Sequence, residues 1–174
     1  MKHSLMGARA GLATLGCVAL ALVFADVGWN RASAQEQAAP PAPCGAASDL
    51  PDELSGNVAA DSRCFELRMY TVDTERVGVG DFNGGIEELH QRFREKEVEI
   101  FEKHGAEIIG SWQNLGNPNM MIWMLAYRDR AHREQVWADF AADPEWTELR
   151  AKYFVPLEPP NVFMMSATDW SALK

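Results

Sequence analysis

The chain has no dense run of lysine or arginine. Its 16 basic residues are scattered and outnumbered by 25 acidic ones, which leaves a formal net charge of −9 over 174 residues. Polyanion binding draws on clustered basic side chains, so this composition excludes nucleic acid and anionic membrane surfaces as partners. No serine sits in a Gly-x-Ser-x-Gly turn, and no Ser/His/Asp or Cys/His arrangement is legible. The one glycine-rich stretch, Val77-Gly78-Val79-Gly80-Asp81-Phe82-Asn83-Gly84-Gly85, has the wrong spacing for a phosphate cradle, and no Lys-Ser/Thr pair follows it. Its glycines point instead to a mobile flap between Val72 and Ile86. The length suits one domain and not two.

The N-terminus is of a different kind. Lys2, His3 and Arg9 precede an apolar stretch from Ala10 to Ala25, and Ala32-Ser33-Ala34 offers small residues for cleavage. That layout is a secretory signal peptide over residues 1–34, with an uncleaved anchor as the alternative. The apolar stretch falls short of the ~20 residues a spanning helix needs. The expected location is therefore periplasmic or secreted, free of the membrane once the signal is removed. Cleavage makes the chain more acidic still, because Lys2, Arg9 and Arg31 leave with only Asp26.

Cysteine is scarce. Cys17 departs with the signal and Cys44 and Cys64 remain, a disulfide candidate in an oxidising compartment, with free or intermolecular thiols as the alternative. A bridge closing a loop of about 20 residues would contribute about 3 kcal/mol by the chain-entropy argument. Between signal and domain, residues 35–63 are Ala/Pro-rich and then small, polar and acidic. Such a segment buries too little apolar surface to offset ordering and reads as a flexible leader.

From residue 64 onward the hydrophobic period changes element by element. Phe65, Leu67, Met69 and Thr71 alternate with Glu66, Arg68 and Tyr70, as in a strand with two different faces. Ile86 to His104 follows as a helix and stops at Gly105. Ile86, Leu89, Phe93, Ile100 and Phe101 share one side of it, and Arg92, Glu95, Glu99 and Glu102 lie away. Strand-like runs Ala106–Leu115 and Met120–Tyr127 flank a Gly116-Asn117-Pro118-Asn119 turn. Ala131–Tyr153 reads as helical with a break at Asp143-Pro144, and Val162–Thr168 supplies a last strand. The order β-α-β-β-α-β predicts an α+β, ferredoxin-like sheet with helices on one face. Met120–Tyr127 has no polar face, so both of its sides need cover, and the simplest cover for the second is another copy of the sheet. A homodimer with sheets packed face to face is expected.

Several stretches together resemble the NIPSNAP family. They are Phe65-Glu66-Leu67-Arg68-Met69-Tyr70-Thr71, Arg92-Phe93-Arg94-Glu95 and Phe101-Glu102-Lys103-His104-Gly105. Gly110-Ser111-Trp112, Trp137-Ala138-Asp139-Phe140 and Ala142-Asp143-Pro144-Glu145-Trp146 belong with them, as do Val162-Phe163-Met164 and Thr168-Asp169-Trp170-Ser171. In order and spacing they span residues 64–174. The resemblance implies a ferredoxin-like fold that dimerises into an α+β barrel, and it carries no agreed chemistry. Relatives often have a histidine where this chain has Lys96, so no role can rest on that imidazole here.

The candidate ligand-cavity or interface residues are Glu66, Arg68, Tyr70, Trp112 and Trp123. If Phe65, Leu67 and Met69 meet the helices, then Glu66, Arg68 and Tyr70 point into the dimer barrel. There Arg68 would serve as a charge clamp and Tyr70 as a proton donor; the plainer reading is an interfacial network of ion pairs and hydrogen bonds. His90, Glu97 and His104 fall close in helical angle, but seven residues of helix rise ~10 Å, so no single metal ion reaches two of them. No metal or cofactor is expected. His132, among Arg130 and Arg133, reads as surface. Trp112, Trp123 and Trp146, with Met120, Met121, Met124, Met164 and Met165, read as core whose soft surface would also suit an apolar ligand. The expected function is an exported homodimeric binding or interaction module for a small apolar molecule. The alternative is a cofactor-free monooxygenase or isomerase.

Overall fold

A computed structural model describes residues 43–174. The signal peptide, Cys17 and the start of the leader lie outside the described residues. In chain order the elements are α1 (Asp52–Ser55), β1 (Cys64–Thr71), α2 (Ile86–Arg92), a π-helical turn (Phe93–Glu97), α3 (Val98–Lys103), β2 (Glu107–Gln113) and β3 (Met120–Tyr127). Then come α4 (Arg130–Ala142), α5 (Pro144–Lys152) and β4 (Asn161–Ser166). The strands form one sheet in the order β2-β3-β1-β4, and every neighbouring pair is antiparallel. This is the expected ferredoxin-like arrangement.

Local chemistry explains the boundaries. α3 stops where Gly105 takes φ +97°, a left-handed conformation that glycine adopts without penalty. α4 begins where the Asp129 side chain accepts the His132 backbone N–H at 2.8 Å. The break before α5 is the expected one: the Asp143 carboxylate accepts the Glu145 N–H at 2.8 Å, and Pro144 holds the first helical position.

The faces of the sheet are the reverse of those expected for β1. Cys64, Glu66, Arg68 and Tyr70 pair in register with Tyr127, Leu125, Trp123 and Met121, so all eight project to one side. That side lies beneath the helices, where Trp123 packs against Phe93 and Phe101 with ring centroids 4.9 and 5.4 Å apart. Phe65, Leu67 and Met69 project to the opposite side with Ala126, Met124 and Ile122. The polar trio therefore faces its own helices, not a barrel interior. Burial is possible because α4 brings partners for every polar atom of Glu66, as shown below.

Among the described residues, the outer side is covered only at one end. Phe65 and Ala126 are buried there with Ala167, against Ile109, Met124 and Met165. The C-terminal tail closes over them, and its last carbonyl, on Lys174, accepts Arg63 Nε at 2.8 Å.

Two further expectations change. Residues 43–63 are docked on the domain where a flexible leader was expected. A disulfide joins Cys44 to Cys64, Ala59 donates its N–H to Ala167 O at 2.9 Å, and Val58 bridges to Thr168. A covalent tie at the foot of β1 and a backbone ladder supply the ordering that composition alone does not. The glycine-rich loop is also pinned: Phe82 stacks on Phe154 at 4.6 Å, and Phe154 donates its N–H to Asn83 Oδ1 at 2.7 Å.

Candidate functional site

Glu66 is the most enclosed charge among the described residues, with 0% exposure. Arg133 on α4 grips it in bidentate fashion, Nε to Oε2 at 2.8 Å and Nη2 to Oε1 at 3.0 Å. Arg68 Nη1 adds a bond to Oε1 at 2.5 Å, Tyr127 OH one to Oε2 at 3.0 Å, and Trp137 Nε1 one to Oε2 at 3.1 Å. A carboxylate has about four lone-pair sites, so this one is saturated. Burial alone would raise its pKa, but the hydrogen bonds and charges of Arg133 and Arg68 outweigh that and hold it below the ordinary value. Glu66 is thus a structural anion that orients Arg68, Arg133, Tyr127 and Trp137. It has nothing left for a ligand.

One step along β1, Tyr70 carries this network to an open space. Its hydroxyl accepts Arg68 Nε at 3.0 Å, and its ring meets Trp123 edge-on at 5.5 Å. Burial pushes the phenol up to about 12. The ring borders a cavity of about 320 Å³ between sheet and helices. Trp137 and Phe140 of α4 and Trp146 and Arg150 of α5 form one wall, and Phe154, Val155 and Leu157 another. The pinned loop contributes Arg76 and Phe82. A wider depression of about 450 Å³ shares Trp146, Arg150 and Phe154 with it and opens outward past Asp81.

The floor of the cavity includes Arg92 and Glu97, bonded Nε to Oε2 at 2.7 Å and only 5% and 2% exposed. In an α-helix, residues five apart diverge by roughly 140°, which is why the sequence sets Arg92 on the outer side. The π-helical turn between them closes i→i+5 and brings both inward. Such turns frequently mark functional sites. Burial pushes the Glu97 carboxyl up, against the pull of Arg92 and Arg68.

Of the five candidate residues, Glu66, Arg68, Tyr70 and Trp123 are brought together beneath the helices, and Tyr70 alone borders the cavity. Trp112 is set apart on the outer side of the sheet, 48% exposed. Its ring lies over Gly110, where an added Cβ would meet it at 3.0 Å. His90, Glu97 and His104 engage three separate partners: Gln113 at 2.8 Å, Arg92, and Asp143 at 2.7 Å. Asp143 also accepts Lys103 Nζ at 2.8 Å, and those two bonds hold its carboxyl well below the usual range. It is a helix-junction clasp. Lys96 pairs with Glu99 on the helix surface at 2.6 Å, outside the cavity. His132 accepts the Arg128 N–H at 3.2 Å.

Among the residues bordering the cavity there is no serine, cysteine or histidine. The arrangement offers flat aromatic walls, guanidinium groups and one phenol, which can bind and orient but cannot supply a nucleophile–base pair. Among the described residues no group of three or more His, Cys, Asp or Glu could hold a metal ion, and no helix is long and apolar enough to cross a membrane. Sequence reasoning missed Arg92, Trp137, Phe140 and Arg150. The signal available was Arg92 itself, an arginine one residue before buried Phe93 in a helix whose apolar stripe drifts.

Residues 65–172 match the NIPSNAP family model. Among solved structures, a NIPSNAP family protein of unknown function from Agrobacterium tumefaciens strain C58 is similar at 21% identity, covering 68% of this chain and 99% of that one, with a TM-score of 0.56. A further NIPSNAP family protein from the same strain has 21% identity, 64% and 99% coverage and a TM-score of 0.52. A NIPSNAP-like domain protein from Burkholderia xenovorans has 20% identity, 64% and 90% coverage and a TM-score of 0.51. At such identities the likeness speaks to the fold alone. No curated protein matches the chain.

Proposed function

The chain belongs to the NIPSNAP family, and from that premise we propose that it is an exported homodimeric binding module that takes a small apolar molecule beneath its helices. The observation that carries the binding role is the cavity of about 320 Å³ walled by Tyr70, Trp137, Phe140 and Trp146. Small-molecule sites are concave and mostly apolar with a few convergent polar groups. Self-association is supported by the outer side of the sheet. Leu67, Met69, Ile122 and Met124 are half-buried there, and Trp112 and Phe163 are 48% and 51% exposed. A patch of that extent is unusual on a monomer, and a second copy would cover it. Export is supported by the signal-like N-terminus over residues 1–34 and by the Cys44–Cys64 disulfide.

The alternative of a cofactor-free monooxygenase or isomerase draws on Tyr70 reaching the cavity. With its phenol pushed up to about 12, Tyr70 can donate a hydrogen bond but does not ionise near neutrality. Binding is the stronger reading.

Native mass spectrometry of protein expressed with its N-terminal segment tests the proposal in one measurement. The expected species begins at Gln35, has the mass of two chains and retains a small molecule. A lone chain at high concentration overturns the dimer, an intact N-terminus overturns cleavage, and an empty cavity that accepts no apolar probe overturns the binding role.

A further inference from the structure

We propose that the cavity recognises a small organic anion, a carboxylate on a flat apolar body, and that Arg92 grips its charge. The inference rests on reading the cavity as a ligand site. Arg92 is nine-tenths buried, yet among the described residues it donates only through Nε, to Glu97. A guanidinium has five N–H donors in a rigid fork, so its two amino groups lack protein acceptors. They are not sealed in the core either. Trp123 Nε1 is the single fully enclosed side-chain nitrogen or oxygen without a partner among the described residues. The amino groups of Arg92 therefore border open space, and the space that Arg92 borders is the cavity.

The surroundings favour an anion as well. Arg76 and Arg150 stand at the rim, and each lies over a ring instead of pairing with a carboxylate: Arg76 over Phe82 at 4.5 Å, Arg150 over Phe154 at 5.0 Å. A stacked guanidinium keeps its N–H edge free for a carboxylate. Glu97 is the one carboxylate on the cavity wall, and burial pushes it toward its neutral form, so it opposes an incoming anion weakly. Three guanidinium groups against one carboxylate make this a positive pocket in a chain of formal charge −9. A purely structural ion pair would have no use for donors left open on a cavity floor. The volume lies near the lower end of the ~300–1,000 Å³ typical of small-molecule sites, which suits a one- or two-ring acid more than a lipid.

The test compares 2-naphthoate with the neutral 2-naphthamide by calorimetry on the full mature protein. Naphthoate is expected to bind at least about tenfold tighter, because charge-assisted bidentate bonds are roughly twice as strong as neutral ones. The double variant Arg92→Gln, Glu97→Gln removes the guanidinium and its carboxyl partner and leaves a neutral amide pair. In this variant the affinity ratio between naphthoate and naphthamide should fall to about one. Equal binding of both probes to the unaltered protein overturns the anion inference and leaves the cavity reading standing. Failure of both probes to bind sinks the cavity reading and this inference with it. A preference that survives in the double variant removes Arg92 from the role. Should that variant not fold, the Arg92 Nε–H resonance decides: it should shift with naphthoate and not with naphthamide, and no difference overturns the assignment.

Discussion

The two sides of the sheet invert the simplest rule of strand design. The covered side of β1 holds a glutamate, an arginine and a tyrosine, while its open side holds Phe65, Leu67 and Met69. The covered side is stable because its polar groups answer one another: Glu66 is met by two guanidinium groups, a phenol and an indole. Among the described residues, the open side has no comparable partners. Leu67, Met69, Ile122 and Met124 remain half-buried within one chain. Burial of charge thus marks the side completed by the chain itself, and exposed apolar surface marks the side on which self-association is proposed.

The largest effect is expected where the covered side is broken. Glu66→Ala leaves Arg68 and Arg133 without their shared anion and should cost about 3–5 kcal/mol in urea unfolding. Glu66→Gln sharpens the point through pH. The folded-state carboxyl is held below its ordinary value of 4.5, so its contribution is fully present above that value and is lost as pH falls through the lower folded value. The stability gap between the unaltered protein and Glu66→Gln should therefore hold near neutrality and narrow below about pH 4.5. A gap that widens in acid would contradict the network.

Breaking the open side should act on assembly and not on the fold. Leu67→Asp places a charge in the proposed contact and should raise the dimer dissociation constant about a hundredfold, close to 3 kcal/mol. Sedimentation measures it, and the melting temperature of the dissociated chain should move little. Equal loss of fold and assembly would show that the two sides are not separable.

The smallest effect distinguishes two tryptophans of the covered side. Trp137 donates to both Glu66 and Tyr127, at 3.1 and 2.9 Å, so Trp137→Phe should cost about 1.5–3 kcal/mol. Trp123 carries an indole N–H with no acceptor, so Trp123→Phe relieves a buried orphan while losing packing. About 1 kcal/mol or less is expected. Urea midpoints of the two variants give the ordering, and a reversed order would place the polar network below packing in importance.

Much of this was legible in the residues. The β-α-β-β-α-β order, the stop at Gly105, the cap at Asp143-Pro144 and the Cys44–Cys64 pair are all local or near-local signals, and each is found where the chain pattern places it. Met120–Tyr127, apolar throughout, announced two sides in need of cover. The docked segment 43–63 and the inward turn of Arg92 were not legible. The first depends on a disulfide and on backbone bonds to residues 167 and 168. The second depends on one π-helical turn that shifts the phase of everything after it.

The sequence by itself determined that β1 has two unlike faces, one charged and one apolar, because alternation along a strand is a local property of period two. Only the tertiary structure decided which of them meets the helices. That choice rests on Tyr127, Arg133 and Trp137, which lie 61 to 71 positions beyond Glu66 and turn a costly buried charge into a satisfied one. No reading of β1 alone contains those partners, so the site they frame appears only once the chain is folded.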